Sequence, residues 1–81
     1  MFRLRYYLFL RQYKEQKEYE ALTAEIDTLT AEKSSLEQQL NSGTLTNTAS
    51  ITQASTRIGE LMGLLDEKEL RWLELDEIVN G

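Results

Sequence analysis

Apolar positions in this chain fall on two stripes, each stepping by alternating threes and fours. The first reads Tyr19, Leu22, Ile26, Leu29, Lys33, Leu36 and Leu40; the second reads Ile51, Ala54, Ile58, Leu61, Leu65, Lys68, Trp72, Leu75 and Val79. That spacing places every member on one face of an α-helix. Neither stripe can leave water alone. Asn41, Ser42 and Gly43, residue types that stop a helix, stand between them, so the economical arrangement folds the second stripe back on the first. The predicted fold is all-α, an antiparallel two-helix coiled-coil hairpin.

The spacing predicts helices over about 13–41 and 47–79, joined by a loop over about 42–46. Glu15, Gln16, Lys17, Glu18, Glu20 and Ala21 are good helix formers on the outer faces of the first. At 1.5 Å per residue it makes a rod roughly 40 Å long. Residues 1–12 form a separate arm in which Phe2, Leu4, Tyr6 and Leu8 alternate with Arg3, Arg5 and Tyr7. That is a strand-like period of two, and the segment equally continues the helix. For the second helix two caps serve: Thr46, or Ser50, which opens a capping-box pattern with Gln53. The earlier start is favoured, and Asn80 and Gly81 form the natural stop.

Folding about the loop sets residue 40 against residue 51, which brings Lys33 near Ile58, Leu22 near Lys68 or Arg71, and Tyr19 near Trp72. A stacked Tyr19 and Trp72 would clamp the open end. Lys33 and Lys68 are polar exceptions on the seams; each fixes register by excluding alignments that bury its charge, or runs outward along its aliphatic stem, the second reading being favoured. A weaker stripe of Gly59, Gly63, Asp66, Leu70, Leu73 and Glu77 lies off the seam on the second helix. The two glycines each cost about 1 kcal/mol in helix propensity against alanine, which close approach of another backbone would explain. The plain alternative is scattered exposed leucines and a softened helix. Leu70, Leu73, Gly59 and Gly63 are therefore the candidate partner-binding residues, facing the basic arm or a second copy.

Composition narrows the function. The 81 residues contain no histidine, cysteine or proline, which removes the usual neutral-pH acid/base, the thiol nucleophile, the standard zinc ligands and any disulfide. A chain this short rarely closes a catalytic cleft. The acidic groups Asp66, Glu67, Glu69 and Glu74, Asp76, Glu77 follow exposed helix faces and lack the glycine-punctuated loop of a calcium site. No catalytic residue, metal or cofactor is expected. The apolar run from Tyr6 to Leu10 is too short to span a bilayer and too short for a secretory signal, so a cytoplasmic protein is expected.

The net charge of −5 is unevenly spread. Through Lys17, five bases stand against Glu15 alone, a net of +4, while the remainder carries −9. Only the N-terminal fifth can attract a polyanion. Arg3, Arg5, Arg11, Lys14 and Lys17 would contact phosphates, with Tyr6, Tyr7, Phe2 or Phe9 stacking on bases. A membrane-surface anchor through the same arm would be weak, and packing on a neighbouring domain is the bland reading of it.

Tyr13-Lys14-Glu15-Gln16-Lys17-Glu18-Tyr19-Glu20-Ala21-Leu22, the Ile26/Leu29 run, Asn41-Ser42-Gly43-Thr44-Leu45 and Leu65 to Leu75 with its Arg71-Trp72-Leu73-Glu74-Leu75 close resemble the C-terminal coiled-coil domain of ABC-F ATPases of the Uup type. The likeness covers about residues 13–79; its opening and closing motifs are moderately specific, the heptads between them generic. It implies a two-helix accessory domain that follows the second nucleotide-binding cassette and binds DNA in Uup-like members, within parent proteins that act around ribosomes. Expected partners are then DNA or RNA, held weakly, with docking or dimerisation on parent cassettes, the ribosome or a second copy as the alternative. The sequence departs from those parents in having no phosphate loop ending in Gly-Lys-Ser/Thr, so this chain alone is not expected to hydrolyse ATP. Residues 1–12 do not resemble the usual linker, which suits a fragment, a detached module or a truncated gene.

Overall fold

The computed structural model describes residues 2–80, with side chains from residue 13 onward. Helix α1 runs Phe2–Asn41 and helix α2 runs Thr48–Asn80. The two pack against each other as an antiparallel hairpin measuring 66 × 16 × 15 Å. Of the two conformations open to residues 2–12, the backbone adopts the helix, which makes the rod longer than the seam alone requires.

Register follows from contacts between the helices. Tyr19 meets Trp72, Thr23 meets Trp72, Glu25 meets Lys68 and Glu32 meets Arg57, so rising numbers on α1 face falling numbers on α2. Extending that register sets Asn80 level with about residue 11. Residues 2–10 of α1 therefore run past Asn80, about 13 Å of helix at 1.5 Å per residue.

The turn is built from local chemistry. Ser42 still donates its backbone N–H to the Gln38 carbonyl at 2.9 Å, and its hydroxyl lies 3.3 Å from the Gln39 carbonyl and 2.6 Å from Thr44 Oγ1. Gly43 then takes a left-handed φ of 72°, a conformation that a Cβ would strain. Neither sequence candidate caps α2. Asn47 does: its Oδ1 accepts from the Ala49 N–H at 2.7 Å and its carbonyl accepts from the Ile51 N–H at 3.0 Å. Asparagine is among the strongest N-caps and outranks threonine; with Asn47 in place, Ser50 lies inside the first turn.

Among the described residues, Ala54, Leu61, Leu65 and Leu75 are buried, all on the α2 seam, and Leu61 and Leu75 are wholly closed to water. On α1 the seam residues Tyr19, Leu22, Ile26, Leu29, Leu36 and Leu40 are half-buried. A lone pair of helices covers a narrow strip and leaves its flanks wet, which is why so regular a seam yields so small a core. The spacing misplaces one seam member. Ile51 is 40% exposed, whereas Leu45 of the loop is half-buried and lines a hollow at the closed end with Leu36, Ser50 and Ala54.

Candidate functional site

Three acidic side chains recur every seventh residue on α1, and each binds a base on α2. Glu18 accepts two hydrogen bonds from Arg71, at 2.8 and 3.0 Å; Glu32 accepts two from Arg57, at 2.6 and 3.1 Å; Glu25 accepts one from Lys68 at 2.8 Å. Both arginines reach a second carboxylate one turn along α2, Glu74 for Arg71 and Glu60 for Arg57. The forked hydrogen bonds from Arg71 and Arg57 hold the Glu18 and Glu32 carboxyls below the usual carboxylate range, and raise both guanidinium groups in return. Of the two readings for the seam lysines, the structure takes the outward one: Lys68 reaches Glu25 and Lys33 reaches Glu37 at 3.0 Å.

At the open end, Tyr19 and Trp72 stack with ring centroids 5.3 Å apart and planes 24° from parallel, as the fold-back predicts. Their polar tips are also tied. Trp72 Nε1 donates to Thr23 Oγ1 at 2.8 Å, and that hydroxyl donates to the Tyr19 carbonyl at 2.8 Å. Tyr19 donates its phenolic O–H to Asp76 Oδ1 at 2.9 Å, and the Asn80 side-chain amide donates to the same oxygen at 2.8 Å. The bond to Asp76 pushes the Tyr19 hydroxyl pKa upward, since ionising it would set two anions together.

These pairings consume almost all the positive charge of the described residues. Lys17 lies 3.7 Å from Glu20 and over the Tyr13 ring; Lys14 alone makes no ion pair. Of the residues proposed to bind nucleic acid, Lys14 and Lys17 stand on the described part of α1, whereas the side chains of Arg3, Arg5, Tyr6, Tyr7 and Arg11 lie outside it.

The carboxylates are distributed differently. Asp27, Asp66, Glu67, Glu69 and Glu77 pair with no base among the described residues, and four of the five gather around one apolar patch. Leu70 and Leu73 are 63% and 55% exposed, and beside them runs an open groove of about 350 Å³ lined by Thr23, Ile26, Asp27, Glu69, Trp72 and Leu73. Leu70 and Leu73 were legible in the sequence as exposed leucines off the seam. The groove that Leu73 shares with Ile26, Asp27 and Glu69 was not, because joining them requires the register between the helices. Gly59 and Gly63 share the stripe, yet a Cβ at either would meet nothing within 4 Å; the fold itself does not require glycine there.

The arrangement offers an exposed apolar face with carboxylates beside it. No group of histidine, cysteine or carboxylate side chains among the described residues is placed to hold a metal ion, and no helix in the described residues is long and apolar enough to cross a membrane. A family described as ABC transporter C-terminal domain matches residues 11–77. No curated protein and no solved structure matches the chain.

Proposed function

The chain belongs to the ABC transporter C-terminal domain family, an accessory part of ABC proteins, and from that premise we propose that it is a non-catalytic docking module. Its Leu70/Leu73 face receives a surface that is both basic and apolar. The carrying observation is the inverted charge economy of the hairpin: body cations are tied to carboxylates across and along the helices, while Asp27, Asp66, Glu69 and Glu77 pair with no base among the described residues and stand around exposed leucines. Unpaired charge around an apolar centre is the composition of an interface with a polar rim. The test mixes the chain with the nucleotide-binding cassettes of an ABC protein that carries this domain. Sedimentation should detect a complex that Leu70→Asp with Leu73→Asp abolishes at unchanged helicity; association indifferent to that double substitution removes the reading.

A second reading, nucleic-acid binding through the N-terminal segment, is supported by the +4 charge of residues 1–17 against the −9 of the remainder. The body would repel a polyanion, so any footprint is short. With at most five phosphate contacts, affinity for duplex DNA should fall with salt on a double-logarithmic slope no steeper than about −4.5. Removing residues 1–12 leaves Lys14 and Lys17, and the slope should drop to about −2. Fluorescence anisotropy with labelled single- and double-stranded DNA and RNA decides it, and an unchanged affinity after the deletion counts against the segment.

A further inference from the structure

We infer that the occupant of the Leu70/Leu73 face is a second copy of this chain, whose N-terminal helix lies along it in a twofold-symmetric dimer. The inference rests on the docking reading and names its partner. It begins from an imbalance. Around the face, Asp66, Glu69, Glu77 and, across the groove, Asp27 have no base among the described residues, where Arg57, Lys33, Lys68 and Arg71 are already held by Glu32 and Glu60, Glu37, Glu25, and Glu18 and Glu74. The bases of the 81 residues not bound in those pairs lie N-terminal: Arg3, Arg5, Arg11 and Lys14, with Lys17 next to them beside Glu20.

Length and charge match. The stretch from Arg3 to Lys14 and the stretch from Asp66 to Glu77 are each about 18 Å of helix, the first with four bases and no acid, the second with six acids and two bases. The first is also rich in apolar residues, Leu4, Tyr6, Tyr7, Leu8, Phe9, Leu10 and Tyr13, and the second presents Leu70 and Leu73.

A chain cannot satisfy itself. Because α1 is one continuous helix whose first nine described residues continue outward past Asn80, its N-terminal stretch is carried away from its own Leu70 and Leu73. Two copies overlapping at their open ends, head to head, set each basic stretch along the other's acidic face. One twofold axis satisfies both contacts at once, so the assembly closes as a dimer rather than growing into a fibre. Nucleic acid and the second copy would compete for the same cations.

The experiment uses two charge-reversed chains of full length. One carries Arg3→Glu, Arg5→Glu and Arg11→Glu; the other carries Asp66→Lys, Glu69→Lys and Glu77→Lys. The unaltered chain should sediment at about twice its 9.4 kDa mass and move toward monomer as salt rises. Each variant alone should be monomeric, its arm and face now carrying like charge. Their equimolar mixture should recover the dimer, because both contacts are then again between opposite charges. Circular dichroism confirms that each variant is helical, and Leu70→Asp with Leu73→Asp gives a monomer without touching charge balance on the arm. A monomeric parent chain, a dimer that survives either reversal, or a mixture that stays monomeric overturns the inference. If the chain is monomeric yet binds ABC cassettes through Leu70 and Leu73, the inference falls and the docking reading stands; if it does neither, both fall.

Discussion

Leu61 and Ile51 both belong to the apolar seam of α2, and the fold treats them oppositely: Leu61 has no exposed surface while Ile51 keeps 40%. Removing buried methyl groups loses their transfer energy and leaves a cavity, so Leu61→Ala should destabilise the hairpin by about 2 to 3 kcal/mol, the low end of the range because so thin a core relaxes easily. Ile51→Ala should cost no more than about 0.5 kcal/mol. Urea denaturation followed by circular dichroism separates the two, and equal losses would mean that the loop end is closed by Ile51 rather than Leu45. Trp72 acts through both its ring and its N–H. Trp72→Leu forfeits the stack on Tyr19, worth about 0.5 to 1.5 kcal/mol beyond area burial, and leaves Thr23 with one partner fewer; the melting temperature should fall accordingly.

Helix α2 begins where Asn47 satisfies its first free N–H groups, and that single cap can be weighed. Asn47→Ala should cost about 1 kcal/mol, whereas Thr46→Ala and Ser50→Ala should change little, as judged by thermal unfolding; a larger loss at Ser50 would restore the capping box. Gly59→Ala and Gly63→Ala should each stabilise the isolated helix by up to about 1 kcal/mol, since a Cβ there meets open space. The helices and their pairing were legible because period and loop chemistry agree, and counting outward from residue 40 set against residue 51 was enough to bring Tyr19 to Trp72. The cap was not legible: Thr46, Asn47, Thr48 and Ser50 are all capping types, and only the path of the loop selects one. The Glu18, Glu25 and Glu32 series was equally hidden. Its heptad spacing is plain on α1, but the partners Arg71, Lys68 and Arg57 are unevenly spaced on α2 and emerge only when the two helices are set in register. For the same reason Leu70 and Leu73 could be named as exposed leucines while the groove joining Leu73 to Ile26 and Asp27 could not.

Across the whole hairpin, charge ties one helix to the other at several levels along its length, and this makes stability depend on pH at both ends of the scale. Glu18 and Glu32 are held below their ordinary value of 4.5 by the guanidinium groups opposite them. A carboxyl lowered on folding contributes stability that is present above the unfolded value and lost as pH falls through the folded one, so the hairpin should weaken below about pH 4.5. Tyr19 is shifted the other way, above its ordinary 10.0, by donating to Asp76. A raised group contributes fully below the unfolded value and loses that contribution as pH rises through the folded one, so a second decline should set in above about pH 10. Between these limits the melting temperature should be nearly flat, and because the pairs are exposed and solvent-screened the acid decline should be shallow. Arg57→Gln combined with Arg71→Gln removes the donors that lower both glutamates, and Tyr19→Phe removes the ionisable hydroxyl while keeping the stacked ring. Melting curves at intervals from pH 3 to pH 11 should therefore flatten on the acid side in the first variant and on the alkaline side in the second. If the double arginine variant keeps the full acid decline, the hairpin is being loosened at low pH by something other than its cross-helix bridges.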